Sequence, residues 1–236
     1  MARPLRIEYH NAYYYIMNRG RAHQMIFHAE EYYEAFLKCL CEAHERFGIE
    51  ILCYCLMGNH YHLLVKTPHG NITRAMRHIG GIYTQRYNRL KKTDGPLFRG
   101  RYKAILVEED SYQLQLSRYI HRNPIEAHLV DNLSDYQWSS FPSYINRVSP
   151  PMWLNQKEIL KQFKHQGYQN TGYRTFVEQG NDKELSQFYG KKNMMSVLGS
   201  DDFREWAYSV KSEDEEISRK SRYIPKISAD TIIAKV

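Results

Sequence analysis

The sequence has 236 residues, of which 42% are hydrophobic and 25% are charged, and its formal net charge is +7. A chain of this length and composition can bury a core, which argues against a disordered protein and leaves room for one catalytic domain with a smaller extension. It has no apolar run near the roughly 20 residues that span a bilayer and no signal-peptide stretch at its start, so we expect a cytoplasmic protein.

Hydrophobic periodicity and turn residues predict the elements of the first half of the chain. In chain order they are a strand at 13–17, a helix at 30–47, strands at 49–57 and 60–66, a helix at about 71–90, a strand at 104–107 and a helix from about 111 to 123. Gly48 is expected to cap the first helix, and Pro124 is expected to stop the last one.

The order β-α-β-β-α-β-α predicts an α+β fold, namely the ferredoxin-like split βαββαβ pattern with an antiparallel sheet and one added helix. We expect the helices to cover one sheet face only. After residue 147, helical segments near 156–164, 171–179 and 183–189 are separated by glycines. The expected domains are therefore a main domain over residues 1–147 and a small helical C-terminal extension over residues 148–236.

The four cysteines all lie between Cys39 and Cys55. They are predicted to be core residues, because two of them alternate within an apolar, strand-like run. A zinc site is the alternative. It is disfavoured because Cys39 and Cys41 would point about 200° apart on a helix and no pair has the C-x-x-C spacing.

Positive charge is concentrated between Arg86 and Lys103, where seven basic residues accompany one acidic residue. Such a cluster suits a polyanion, because each neutralised phosphate releases condensed counterions. On charge alone, a solvated basic loop remains the alternative.

His60 and His62 lie two residues apart on a predicted strand, so both imidazoles leave the same sheet face and can converge on one metal ion. Tyr61, Leu63 and Val65 would then face the helices. An isolated H-x-H pair is weak evidence, and two exposed or structurally satisfied histidines are the alternative.

Tyr119 and Asn123 lie four residues apart on the last predicted helix, so a hydroxyl and an amide share one helix face. His121 is about 200° away from Tyr119 on that helix, while Arg118 and Arg122 flank the tyrosine. In the alternative interpretation, Tyr119 is one of twenty tyrosines and simply packs in the core.

Several separated motifs carry a resemblance to a known family. They are MGNHYHLLV at 57–65, RYIHRNP at 118–124, RPLRI at 3–7, NRG at 18–20, FRGRY at 98–102 and YQWSS at 136–140. In this order they resemble the signature of the REP-associated tyrosine transposases of the HUH superfamily, over residues 3–144. One departure is Gly58, where many relatives have proline, a change in a turn and not in a ligand.

The resemblance implies that His60, His62 and Asn123 are ligands of Mg²⁺ or Mn²⁺ and that Tyr119 is the nucleophile. It implies a transposase that nicks and rejoins single-stranded DNA beside hairpin-forming palindromes through a 5′-phosphotyrosine. Longer relatives continue into a helix-turn-helix-like end. This sequence is expected to stop about where such a module would begin. A monomer and a homodimer both stay open.

If the chain binds single-stranded DNA, its basic residues would contact the phosphates and its aromatic residues would stack on unpaired bases. The predicted DNA-binding residues are Arg19, Arg86, Arg89, Arg99, Arg101, Tyr102, Lys103, Arg118 and Arg122. Tyr87 and Phe98 are further candidates for stacking, whereas burial is predicted for Tyr83.

Two other functions are consistent with parts of this pattern. A non-catalytic nucleic-acid-binding regulator would use the same basic surface without cleaving DNA. A zinc hydrolase would use His60 and His62 with water, but no H-E-x-x-H motif and no convincing carboxylate ligand accompanies the pair.

Overall fold

The computed structural model describes residues 7–109, 111–166, 168–180 and 196–217. Its centre is a five-stranded sheet in the order β2-β3-β1-β4-β5. The strands are β1 (Ala12–Arg19), β2 (Glu50–Met57), β3 (His60–Thr67), β4 (Lys103–Val107) and β5 (Val197–Leu198). The first four strands are antiparallel neighbours in the ferredoxin-like order, which confirms the predicted α+β fold. The two-residue β5 runs parallel to β4 and was not predicted.

The helices follow the sequence pattern closely in the first half of the chain. They are α1 (Glu30–Phe47), α2 (Ile72–Lys91), α3 (Ser111–Glu126), α4 (Phe141–Tyr144), α5 (Lys157–Leu160), α6 (Gln169–Glu178) and α7 (Asp201–Ile217). Gly48 ends α1 in the left-handed conformation, as predicted. Within the described ranges, no helix is both long and apolar enough to cross a membrane. The helix predicted at 183–189 and most of the motif at 3–7 lie outside the described residues.

Alternate residues of the strands face two different cores. Tyr14 and Leu63 belong to the core under α1 and α2, whereas Tyr15 and Leu64 belong to a second core on the opposite face. The prediction that helices cover only one face is therefore wrong. The second face is as apolar as the first, so it needs a cover, and α3 supplies one through residues such as the fully buried Leu116.

The cysteines fit the predicted role as core residues. Cys53 and Cys55 are buried in the second core, and Cys39 is buried in the first. Cys41 is only partly buried and packs against the first core. All four are free thiols.

Both edges of the antiparallel part of the sheet, β2 and β4, are covered by later parts of the chain. The backbone of 138–140 runs along β2, where Leu56 N–H donates to Trp138 at 2.9 Å and Ser140 N–H donates to Tyr54 at 3.0 Å. On the other edge, β5 pairs with β4. Covered edges cannot pair with another chain, so the YQWSS motif has a structural role here.

Residues beyond 147 also join the rest of the molecule. Lys66 on β3 forms an ion pair with Glu158 at 2.5 Å. Ser200, at the start of α7, donates its N–H at 2.6 Å and its hydroxyl at 3.0 Å to the carboxylate of Glu108, directly after β4. The division into domains at residue 147 stays a prediction.

A buried polar network fixes α3 against the second face. His121 Nδ1 lies 2.7 Å from the Tyr173 hydroxyl, and its Nε2 lies 2.7 Å from Ser140 Oγ. Ser140 Oγ in turn accepts the N–H of Tyr54 on β2 at 2.9 Å. These hydrogen bonds connect α3, α6 and β2 through one histidine, whose pKa burial lowers to about 3.

We predict that Glu108→Ala loosens the end of the chain that packs on β4. Ser200 would lose both acceptors, which lowers the local free energy of unfolding of α7 by about 1 kcal/mol. Hydrogen exchange measured by mass spectrometry should then be faster in 200–209. The matched control is Glu109→Ala, because Glu109 accepts from Tyr13 at 3.1 Å on the other face of the sheet. Unchanged exchange in Glu108→Ala would contradict the prediction.

We also predict that His121 makes the protein less stable in mild acid. Its folded-state pKa is about 3, below the value of about 6.5 expected in the unfolded chain, so the unfolded state binds the proton first as the pH falls. When the pH falls from about 7 to about 5, protonation of His121 in the unfolded state should lower the free energy of unfolding by about 2 kcal/mol.

Urea unfolding at the two pH values checks this effect, with His121→Gln as the comparison that isolates His121 from the other histidines. The variant should show the smaller loss of stability on acidification. A ring-proton NMR titration of His121 with a midpoint near pH 6.5 in the folded protein would show the prediction to be wrong.

Candidate active site

β3 brings His60 and His62 to the sheet face that α3 covers. The two ring centroids are 4.8 Å apart with perpendicular planes. His62 is only 5% exposed, and His60 is partly buried near the end of the sheet. The two-residue spacing thus places both imidazoles side by side, while Tyr61 faces the opposite core.

Tyr15 on β1 contacts the side chain of His62. Its hydroxyl lies 2.5 Å from His62 Nδ1, and the two rings are stacked with centroids 5.8 Å apart. Nε2 of His62 is buried and has no hydrogen-bond partner among the described residues. Burying a polar atom without a partner costs free energy, so this nitrogen marks the position where a ligand would be bound.

α3 places Tyr119 over the same point of the sheet. Its ring centroid lies 6.2 Å from that of His62 and 6.4 Å from that of Tyr15, and it meets both rings nearly edge-on. Tyr119 is partly buried. The strand with the histidine pair and the helix with the tyrosine therefore meet in one pocket, which we call the histidine pocket (Tyr15, His60, His62 and Tyr119).

Asn123 lies one helical turn beyond Tyr119, and its side chain is tied to the helix. Nδ2 donates to the carbonyl of Tyr119 at 2.8 Å and to that of Ile120 at 3.4 Å. The prediction that Pro124 stops this helix is wrong, because α3 continues to Glu126. Proline lacks the N–H that would reach Ile120, and the Asn123 amide donates to that carbonyl instead.

The histidine pocket favours neutral imidazoles and a protonated tyrosine. Burial and the nearby Arg19 lower the pKa of His60 to about 4, and burial together with His60 lowers that of His62 well below its usual value. Burial raises the pKa of Tyr119, although a side-chain hydrogen bond with Tyr15 opposes this shift. Neutral imidazoles are the form that binds metal ions.

The donor atoms of the pocket fit a divalent cation. Among the described residues, no three His, Cys, Asp or Glu side chains form a cluster that could hold a metal. A third ligand beside His60 and His62 would therefore be of another type, and the amide oxygen of Asn123 is of the right type. Two imidazoles and one amide oxygen leave open coordination positions on Mg²⁺ or Mn²⁺.

Four of the predicted DNA-binding residues lie beside the histidine pocket, at the end of the sheet that carries His60. Arg19 is opposite His60 in the β1–β3 pairing. The N–H of Arg99 donates to the carbonyl of Arg19 at 3.0 Å, which places the exposed loop of Arg99 and Arg101 next to the end of β1. Lys103 begins β4, the neighbour of β1, and is exposed.

Three others lie on the face covered by α1 and α2. Arg86 forms an ion pair with Glu42 on α1 at 2.5 Å, and Arg89 is exposed near the end of α2. Tyr102 packs against the core below these helices. Tyr87 is buried there as well, so the hypothesis that it stacks on bases is wrong. The structure does not bring these residues to the histidine pocket.

The two arginines next to Tyr119 and Asn123 in the sequence hold α3 in place. Arg118 is 8% exposed and lies 4.2 Å from the centroid of the Phe176 ring on α6. Arg122 donates to the carbonyl of Val177 at 3.0 Å and forms an ion pair with Glu126 at 3.3 Å. These contacts use much of the donor capacity of both guanidinium groups, and their DNA-binding role stays a prediction.

Sequence reasoning did not single out Tyr15. Tyr15 is one aromatic residue in a run of tyrosines. Its link to His62 is visible only in the pairing register of β1 with β3. Met17 lies opposite His62 and Tyr15 lies opposite Leu64, so Tyr15 is a diagonal neighbour of His62 on the same face.

Comparison with known proteins relates this chain to a family of transposases. Residues 8–123, which include the whole histidine pocket, match the family model described as IS200-like transposase. A Haemophilus influenzae protein assigned as a REP-associated tyrosine transposase is 24% identical over 142 residues, which cover 55% of this chain and 80% of that protein.

One solved structure supports the fold. A structure described as a REP-associated tyrosine transposase bound to a REP hairpin has a TM-score of 0.54 at 15% identity, covering 66% of this chain and 92% of that chain. A crystal structure of a Deinococcus radiodurans protein assigned as a transposase is 18% identical, covering 51% of this chain and 97% of that one; its TM-score of 0.36 is too low to support a structural argument. Over residues 8–123 this chain is similar to the IS200-like transposases, a family of enzymes that act on DNA, and it also resembles the REP-associated tyrosine transposases.

Proposed function

We propose that this protein nicks and rejoins single-stranded DNA beside hairpins, with Tyr119 as the nucleophile. The observation that carries the proposal is the 6.2 Å separation between the ring centroids of Tyr119 and His62 in one pocket. Hairpin DNA is the proposed substrate because the structurally similar protein is described as bound to a REP hairpin.

His60, His62 and Asn123 would hold Mg²⁺ or Mn²⁺. The unpartnered, buried Nε2 of His62 and the low pKa values of both histidines support this assignment. When bound, such an ion polarises the scissile phosphate and stabilises the negative charge that develops on it.

Tyr119 performs the covalent step of this mechanism. Its oxygen forms a bond to phosphorus while the bond to the 3′-side oxygen breaks, which leaves a 5′-phosphotyrosine and a strand with a free 3′-hydroxyl. Because burial raises the pKa of Tyr119, its proton must pass to solvent as the bond forms, and the departing 3′ oxygen takes up a proton from solvent in return. The reverse reaction rejoins DNA without a nucleotide cofactor, since the phosphodiester energy is conserved.

The substrate strand would be held by the basic residues nearest the pocket. Arg19, Arg99, Arg101 and Lys103 lie at the end of the sheet that carries His60. Contacts to phosphates position a strand without reading its sequence, and they weaken as salt rises.

We predict that Tyr119→Phe abolishes the covalent protein–DNA adduct and retains DNA binding. The assay incubates the protein with a labelled single-stranded hairpin and Mn²⁺, then resolves the adduct by denaturing electrophoresis. Tyr112→Phe is the matched control, because Tyr112 lies two turns earlier on α3 and should keep the adduct. An adduct in Tyr119→Phe would contradict the nucleophile assignment, and wild-type binding without an adduct would favour the regulator.

We also predict that chelation of the metal stops adduct formation and that added Mn²⁺ restores it. His60→Ala removes one ligand, so its Mn²⁺ affinity should fall at least about 10-fold because each ligand contributes strongly to a three-ligand site. Electron paramagnetic resonance measures the affinity directly, with the exposed His69 replaced by alanine as the control. Equal affinity in His60→Ala and wild type would rule out this ligand set.

A further inference from the structure

We infer that Tyr15 is a positioning residue of the histidine pocket: its hydroxyl oxygen accepts the Nδ1 proton of His62 and so fixes the tautomer that presents Nε2 to the metal. This inference rests on the proposed metal-binding role of His62. Tyr15 itself is a ligand neither of the metal nor of the DNA in this assignment.

The first argument is the contact between the two side chains. Tyr15 is fully buried, and its hydroxyl lies 2.5 Å from Nδ1 of His62. Each side chain comes from a central strand of the sheet, so both are held by rigid backbone. The ring that carries Nδ1 is thereby prevented from turning, and Nε2 keeps one direction in the pocket.

The second argument concerns the single proton of a neutral imidazole. If Tyr15 donated to Nδ1, the proton of His62 would be on Nε2, where the described residues offer no acceptor. A buried N–H without an acceptor is a rare and costly feature of native proteins. With the proton on Nδ1 instead, Nε2 carries a lone pair that a cation can use.

The third argument concerns the single proton of Tyr15. Tyr15 also forms a side-chain hydrogen bond with Tyr119, and the two rings meet nearly edge-on with centroids 6.4 Å apart. When Tyr15 accepts the proton of His62, its own proton is free to be donated to the oxygen of Tyr119. One hydroxyl then connects the proposed ligand with the proposed nucleophile.

The test begins with the metal-free protein. ¹⁵N NMR of the imidazole nitrogens is expected to show the proton of His62 on Nδ1 in the wild type and a shift of the population toward Nε2–H in Tyr15→Phe. Titration with Mn²⁺ should then give about 10- to 100-fold weaker binding in the variant, the usual effect of losing such a partner. Tyr13→Phe is the matched control, because Tyr13 faces the same side of β1 but bonds Glu109.

A wild-type His62 protonated on Nε2 would overturn the inference. So would a folded Tyr15→Phe protein with the wild-type tautomer and the wild-type Mn²⁺ affinity. If Tyr15→Phe does not fold, the tautomer of His62 in the wild-type protein alone decides whether the inference holds. The Nδ1–H tautomer in a wild-type protein that binds no Mn²⁺ would support the hydrogen-bond assignment and contradict the metal in the proposed function, so the two failures are distinguishable.

Discussion

The docking of α3 on the second face of the sheet is the interaction on which the candidate site depends. Leu116 and Ile120 are fully buried there, and burying two such side chains stabilises the contact by roughly 3–6 kcal/mol. Without α3, the histidine pair would lie on an open sheet surface, away from Tyr119. The same contact also encloses the pocket, which is why its titratable groups have shifted pKa values.

Apolar packing alone would tolerate a small displacement of α3 along the sheet, whereas the polar residues of the RYIHRNP segment do not. His121 is bonded to Ser140 and Tyr173, and Arg118 lies over Phe176. Directional contacts of this kind specify one arrangement more than they add stability. Within this segment, Arg118, His121 and Arg122 therefore hold the helix in place, while Tyr119 reaches the histidine pocket.

The sequence patterns predicted what depends on local periodicity. The first four strands, the first three helices and the juxtaposition of His60 with His62 follow from repeats of two and of 3.6 residues. The placement of α3 on the second face, the covered sheet edges and the role of Tyr15 depend on contacts between distant residues; Tyr15 and His62 are 47 positions apart. The role of the basic residues was equally ambiguous in the sequence, because a sequence does not show that Arg86 forms an ion pair with Glu42.

The electrostatics of the histidine pocket explain why metal and DNA should bind together. The three proposed ligands, two imidazoles and one amide, carry no formal charge, so they do not compensate the charge of a divalent ion, whose affinity rises with the number of charged ligands. The positive charges of Arg19 and Lys103, at the end of the sheet that carries His60, oppose the ion further. A DNA phosphate changes this balance, because it attracts the ion and the basic side chains at once. Under the proposed mechanism, the substrate therefore strengthens metal binding at the site that acts on it.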